Sequence, residues 1–366
     1  MSKRAVYRVR VAGQDISSRI DPLLTSIRVS DRDGTHSDTA EIVIDDKDAR
    51  VLLPRTGDEI DVAFGWAGDG ISVVFVGKVD EVESSGSRGG GRELRISAKG
   101  LDTKGKGKEA QQINIDDATV EEALKEAGKN AGITDIKVDP ELAKIRRDWW
   151  GLIDESFIHF GERVAREVGG VFKVQGNKAI LARKGGGSVT GQEMPTVTAA
   201  WGQNLIAWRI KPEMGRPRNR KARARWYDPD EAKWKTKEVE IDDDEVETTL
   251  GDRYSRADED EAEGSATNGK EETENEKGGG SVEMDGTAMA RPGGTLILVG
   301  ARPGIDGPYR IASVDHTYTR SGGWTTSVEL KRPGEGVGKD DRGKKGSGSS
   351  GGGDGDFALP RDPELG

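Results

Sequence analysis

Cysteine is absent from the 366 residues, which excludes disulfide frameworks, cysteine nucleophiles and zinc–thiolate centres. Histidine is nearly absent. The three present, His36, His159 and His316, have no partner histidine at helical or turn spacing. No apolar run is long enough to span a bilayer, and the opening MSKRAVYRVRVAG lacks the apolar stretch of a signal peptide. The expectation is a product made and used without the secretion machinery, in the cytoplasm or in an assembly built there. Hydrophobic residues reach only 33%, charged residues match them at 33%, and glycine is plentiful at 52. That balance favours several small cores joined by solvated segments over one large core. Sixty-six acidic residues outweigh 56 basic ones, for a net charge of −10, which argues against a general binder of nucleic acid or membrane surfaces.

Short alternating runs fill residues 1–105. Tyr7, Val9 and Val11 alternate, then Ile27 and Val29, Ala40, Ile42 and Ile44, and Ile60, Val62 and Phe64. Glycine-rich turns separate them, as in a small barrel or sandwich. Residues 106–190 change period and read as an α+β insert. Thr119 and Glu122 form a capping box ahead of the stripe Val120, Ala123, Leu124 and Ala127, with Gly132 as the stop. A second helix carries Phe157, Phe160, Val164 and Val168 on one face, and a hairpin around Gly176-Asn177 follows. Residues 191–241 and 281–333 return to strands and read as a second barrel. Residues 242–280 form an acidic linker or surface segment with room for one short helix. Residues 334–366 form a flexible Gly/Ser-rich tail ending in FALPRDPELG, whose Phe357 and Leu359 suit a docking peg. The fold class expected is α+β, mainly β: two related small β-barrel domains with an α+β insert between them.

An internal echo supports the pairing of barrels. Gly57-x-x-Ile60-x-Val62 is followed by Val79-x-x-Val82 and Leu94-x-Ile96, while Gly293-x-x-Leu296-x-Leu298 is followed by Ile311-x-x-Val314 and Val328-x-Leu330. Duplication is one reading; two unrelated meanders with similar alternation are the other.

Chemical motifs dissolve on inspection. DRDGTHSDTAEIVID places Asp31 and Asp33 like the first ligands of a calcium loop, but Thr35, His36 and Ile42 occupy the fifth, sixth and twelfth positions, where the loop needs a ligand, glycine and glutamate. GLDTKGK, residues 100–106, has phosphate-loop spacing, yet Gly107 stands where magnesium needs Ser or Thr. Gly348-Ser349-Ser350-Gly351-Gly352 imitates a nucleophile elbow only because the tail is Gly and Ser. Asp315 and His316 are adjacent on a strand and so face opposite ways, a poor start for a triad. No catalytic residue, cofactor or metal ligand is assigned. Lys221, Arg223 and Arg225 share one strand face, which reads as the solvated side of a hairpin or as a contact for an acidic protein partner or a nucleic-acid backbone. Trp149 and Trp150 cannot both enter one strand-like core, so one anchors and the other is free to face a partner.

Co-linear stretches carry a resemblance across roughly residues 5–332. They are YRVRVAGQDISSRIDPLLTSIRVSDRDGTHSDTAEIVIDD, RTGDEIDVAFGW, DATVEEALKEAGKNAGI, DESFIHFGERVAREVGGVFKV and GGTLILVGARPGIDGPYRIASVDHTYTRSGGWTTSVEL. Together they resemble the phage late control protein D family, hub proteins of contractile-tail baseplates; type VI secretion spikes share that architecture. The resemblance implies a virion structural protein, not an enzyme. It implies a homotrimer whose six barrels form a pseudo-sixfold adapter between the hexameric tail tube protein and the trimeric central spike protein. Tape measure and baseplate wedge proteins are further implied neighbours, with no membrane and no specific nucleic acid, the genome passing through the lumen. On that footing Lys221–Arg225 would face the lumen or a neighbouring ring. The competing expectations are a tail-associated peptidoglycan hydrolase, a type VI secretion-like spike hub, and a transcriptional regulator, which would need a basic recognition helix that neither helix offers.

Overall fold

The computed structural model describes residues 4–32, 38–100, 106–175, 177–183, 194–212, 219–241, 247–256, 258–334 and 337. Its first part is β1 (Ala5–Val11), β2 (Gln14–Asp15), α1 (Ser17–Ile20), β3 (Leu24–Arg32), β4 (Thr39–Asp45), β5 (Glu59–Trp66), β6 (Gly70–Ser87) and β7 (Gly91–Lys99). The insert follows with β8 (Ala110–Thr119), α2 (Val120–Ala131), β9 (Asp135–Val138), α3 (Pro140–Ala143), β10 (Arg146–Ser156), α4 (Phe157–Val168), β11 (Gly170–Gln175) and β12 (Lys178–Arg183). The last part holds β13 (Thr196–Ala200), β14 (Leu205–Lys211), β15 (Lys221–Asp228), β16 (Lys233–Glu240), β17 (Thr249–Arg256), α5 (Glu259–Glu276), β18 (Gly279–Asp285), β19 (Thr295–Val299), β20 (Gly307–Thr319) and β21 (Gly323–Pro333).

One sheet of 13 strands runs β14-β18-β21-β20-β3-β4-β7-β6-β5-β1-β2, with β19 joined to β20 and β13 to β19. Alternation along these strands sends Val9, Ile27, Ile42, Ile60, Phe64 and Leu94 into one core and Leu296, Leu298, Ile311, Val314, Val328 and Leu330 into another. The chain is thus mainly β with an α+β insert that keeps a core of its own around Trp150, Leu152, Phe157, Phe160 and Phe172.

Within the long sheet, five strands repeat in spatial order. In the first set Ile27 pairs with Ile42, Ile42 with Ile96, and Ile96 with Val82. In the second Trp208 pairs with Val282, Val282 with Val328, and Val328 with Val314. The ladders also slip at matching rungs. The β3–β4 register shifts between Leu24 and Ser26, and β14–β18 between Leu205 and Ala207. The β6–β7 register shifts between Val79 and Glu81, and β20–β21 between Ile311 and Ser313. Each fifth strand is entered through a glycine at positive φ, Gly57 at 98° and Gly293 at 83°. The Gly57 N–H donates to the Val79 carbonyl at 2.7 Å, and that of Gly293 to Ile311 at 2.8 Å. Val79 and Ile311 each donate back at 2.9 Å, to Asp58 and Gly294.

Bulges bend and twist a strand at defined positions, so shared bulges and shared turns mark a repeat rather than two similar meanders. The echo in the sequence therefore reflects structure, with one adjustment: the pairing makes Ile96, not Leu94, the counterpart of Val328. The repeats diverge at their flanks, where β1 meets β5 antiparallel but β13 meets β19 parallel.

The insert follows its sequence signals at both helices. Thr119 Oγ1 accepts from the Glu122 N–H at 3.3 Å and Glu122 accepts from the Thr119 N–H at 2.8 Å, closing the capping box. Gly132 and Gly169 end α2 and α4 in the left-handed region, both at φ 72°, as glycine permits. The pair β8–β10 was not anticipated: its outer face mixes polar Gln112, Asn114 and Asp116 with the exposed Trp149 and Ile153.

Two expectations need correction. Residues 221–241 do not join the second barrel; β15, β16 and β17 form a separate three-stranded sheet. The acidic stretch supplies β17 and the 18-residue α5, which packs on that sheet. Small residues explain the docking. Ala262 and Ala266 lie at one-turn spacing and let α5 approach Ala224 and Trp226, all four buried. The acidic side chains meet basic partners from other parts of the chain: Lys237 reaches Glu259 at 3.1 Å and Glu263 at 2.8 Å, and Arg332 reaches Glu274 at 2.6 Å.

Candidate functional site

The structurally distinctive place is the joint where the two repeats meet, β3 against β20. Antiparallel pairing runs from Ser313 opposite Arg32 to Thr319 opposite Ser26. Ser30 donates its hydroxyl to Asp315 across it. Aromatic side chains fill the space beneath: Phe64 and Trp66 each lie 5.6 Å from Trp324, and Tyr7 lies 4.8 Å from Tyr318. Trp324 comes from β21 of the second repeat yet belongs to the core of the first. Its ring lies so close to Gly286 that a Cβ there would sit 2.0 Å from it, and the Trp66 indole N–H donates to the Gly286 carbonyl at 2.9 Å. The two repeats are therefore interlocked, not tethered.

His316 sits in this joint. It is 4% exposed, its Nδ1 is 3.0 Å from Thr326 Oγ1, and Phe64 and Trp324 flank it. Burial pulls its pKa down to about 4, so the ring is neutral near pH 7 and serves as packing with one satisfied polar edge. Asp315 is occupied by Ser30 on the other face, so no Asp–His couple exists.

The insert docks on the same joint through one ionic contact. Lys173 Nζ lies 2.6 Å from Asp31 and 2.8 Å from Asp38. Burial, and then the neighbouring Asp31 charge, push Asp38 up to about 6 against the pull of Lys173. Burial draws Lys173 down, but the two carboxylates outweigh it and leave its pKa raised. A second cluster fixes α4. Arg163 reaches Glu155 at 2.7 Å, His159 reaches the same carboxylate at 3.1 Å, and Arg147 bridges Glu167 at 2.6 Å and Glu261 at 2.5 Å. These carboxylates are held by cations at contacts between parts of the chain, the arrangement of an ion-pair joint rather than of a sugar-cleaving acid pair. Among the described residues, no group of three or more His, Asp or Glu is placed to hold a metal ion.

Residues singled out in the sequence fall as follows. Trp149 and Trp150 lie on β10, and alternation sends them to opposite faces. Trp150 is 1% exposed and its indole donates to the Ala118 carbonyl at 2.8 Å; Trp149 is 51% exposed. On β15 the odd positions point outward. Lys221 meets Glu238 at 3.0 Å, Arg223 is exposed, and the Arg225 guanidinium lies 5.4 Å from the Trp234 ring. Trp234 stacks edge-on against Tyr227 at 5.4 Å, both exposed, so the hairpin carries a cationic and aromatic outer face. Trp234 gave only a weak signal, an aromatic alternating with lysines. The pair Trp201 and Trp208, at 5.1 Å, gave none, since each sits in an ordinary apolar run. Phe357 and Leu359, His36 with the centre of the calcium-like loop, and Gly348–Gly352 lie outside the described residues. Gly107 is buried against the insert, and a strand rather than a helix follows it, so the phosphate-loop spacing leads to no helix N-terminus.

No protein-family profile matches the chain. It is 30% identical over 195 residues to the probable baseplate hub protein of Escherichia phage P2 and 27% identical over 193 residues to that of Escherichia phage 186. Each match takes in 52% of this chain and 49% of the relative, so the chain spans about half the length of the curated relatives it matches. In fold it is similar to the 43 kDa tail protein of prophage MuSo2 from Shewanella oneidensis, with TM-score 0.66, 14% identity and coverage of 91% and 99% of the two chains. An Escherichia coli component of the type VI secretion system follows at TM-score 0.55 and 12% identity, covering 90% of this chain and 78% of that one. The relatives are named as baseplate hub, tail and secretion-system proteins. These sequence relatives and this fold are consistent with the resemblance to the phage late control protein D family and its baseplate hub proteins.

Proposed function

We propose that this chain is a baseplate hub of a phage tail, a structural component of the virion that adapts sixfold to threefold symmetry. Three copies, each with two matching five-stranded units, present six near-equivalent positions to a hexameric tail tube, while the ring as a whole keeps the threefold axis of a trimeric central spike. The observation that carries this reading is the repeat itself, down to shared bulges and shared glycine turns. An adapter needs one chain to offer the same surface twice, and nothing about catalysis explains why it would. The joint and its ion pairs hold the two units at a fixed angle, as a ring requires. Tape measure and baseplate wedge proteins are the further neighbours of such a ring, and the genome passes through its lumen without sequence recognition.

Native mass measurement of the purified chain, alone and mixed with tail tube protein and with spike protein, tests the proposal. A species of three chains in at least one mixture is expected. A chain that stays monomeric with both partners, or a preparation that clears purified cell wall in a zymogram, would overturn it.

A further inference from the structure

The repeats are joined inside the chain by one edge of the first and one edge of the second. That leaves a matching pair of edges unused. β3 gives its outer edge to β20; its counterpart β14 ends the sheet, and among the described residues no strand lies on its outer side. β20 accepts β3 along Ser313–Thr319, beyond the rungs it shares with β19. The counterpart stretch of β6 is Glu81–Ser87, beyond the last β5 rung at Lys78, and among the described residues it pairs only with β7.

Burial shows the same asymmetry. Ile27 and Val29 are 0% exposed beside β20, whereas their counterparts Trp208 and Ile210 are only half-buried. Val314 and His316 are buried, whereas Val82 is half-buried and its neighbours Glu83–Ser87 are exposed. The two repeats place strand edges at equivalent positions, but within the chain only one of the two seams is filled.

We infer that a second copy of this chain fills the other seam, β14 of one subunit pairing antiparallel with Glu81–Ser87 of β6 in the next. The inference rests on the hub reading and specifies its interface. The strand equivalences fix the register. Asp315 opposite Ser30 translates to Glu83 opposite Lys211, Tyr318 opposite Ile27 to Gly86 opposite Trp208, and His316 opposite Val29 to Ser84 opposite Ile210. Two of the three translated rungs are chemically complementary although nothing in the derivation required it. A carboxylate meets an ammonium, and the bulkiest side chain of β14 meets Gly86, which leaves room for it. Cross-strand pairs of this kind are what stabilises one register over its neighbours. Each copy donates one edge and receives another, a head-to-tail contact that closes into a ring when the rotation allows.

The absence of cysteine makes the test clean. Glu83→Cys with Lys211→Cys, and separately Ser84→Cys with Ile210→Cys, place one thiol on each edge. Opposed residues in antiparallel strands have Cα atoms roughly 4.5–5.5 Å apart, within the reach of a disulfide, and adjacent rungs alternate in geometry so that one of the two pairs suits it. Mild oxidation of the full-length variant in the presence of tail tube protein should give a covalent ladder ending at three chains. Ser87→Cys with Lys211→Cys, about four residues out of register or ~13 Å, should give none. Lys211→Glu should weaken trimer formation at least about tenfold, and Glu83→Lys added to it should restore it. A trimer of normal mass in which neither in-register pair cross-links, or in which the displaced pair links equally well, would refute the seam while leaving the hub. Failure of the unmodified chain to form any trimer would remove both.

Discussion

Protonation of His316 should loosen the joint between the repeats, and the size of the effect follows from its burial. The ring is held neutral with its pKa lowered from 6.5 to about 4. Its folded pKa lies below its unfolded one, so the stability it contributes is present above about pH 6.5 and is lost as pH falls through about 4. A gap of 2.5 units corresponds to about 3 kcal/mol, of which about 2 to 3 kcal/mol is lost between pH 7 and pH 4.5. His316→Asn keeps a polar atom near Thr326 and removes the titration. It costs about 1–2 kcal/mol for the lost ring volume, a penalty that does not vary with pH. Urea titrations of wild type and variant at several pH values, followed by tryptophan fluorescence, measure the difference. Trp324, 6.0 Å from the ring, reports on the joint. The free-energy gap between the two proteins should shrink, then reverse, as the solution is acidified. Parallel curves across the whole range would show that His316 is not kept neutral and that its burial is not the controlling factor.

Asp38 works in the opposite sense. Its folded pKa is raised from 3.8 to about 6, so its contribution is present below about pH 4 and is lost as pH rises through about 6. Asp38→Asn should therefore gain up to about 3 kcal/mol on the wild type between pH 4 and pH 7, and a urea midpoint difference that stays constant with pH would contradict this. Trp150→Ala should cost about 3–5 kcal/mol and Trp149→Ala less than about 0.5 kcal/mol, a contrast that thermal unfolding of the two variants resolves. Arg223→Glu combined with Arg225→Glu should leave the circular dichroism spectrum unchanged and reduce the yield of assembled tails in a complementation assay; undiminished assembly would show that the outer face of β15 touches no partner.

Much of this fold was legible because local rules coincide with tertiary demands. The capping box at Thr119 and Glu122, the glycine stops at Gly132 and Gly169, and the strict alternation of Ile60, Val62 and Phe64 each carry their structure in a few adjacent residues. The repeat was legible through Gly57 and Gly293, where a turn demands positive φ ahead of an alternating strand. What escaped was information held between distant segments. Trp324 reads as an ordinary strand residue of the second half, and only pairing across the joint places it in the first core. α5 escaped because its docking uses two alanines and long-range ion pairs, a signal too faint for periodicity against a run of acidic residues. The hairpin β15–β16 was recognised, but its membership of a separate sheet was not, since alternation reports which face is buried and not which neighbour buries it. Partner contacts were the least legible of all: Lys221, Arg223 and Arg225 lie on the outward side of β15, yet an outward cation looks the same in sequence with or without something opposite it.

The hydroxyl of Ser30 and the carboxylate of Asp315 meet across 285 positions of chain, and the first core waits for Trp324. During synthesis, then, the amino-terminal unit leaves the ribosome with a strand edge and an apolar socket still open, and it stays so until nearly the whole polypeptide has been made.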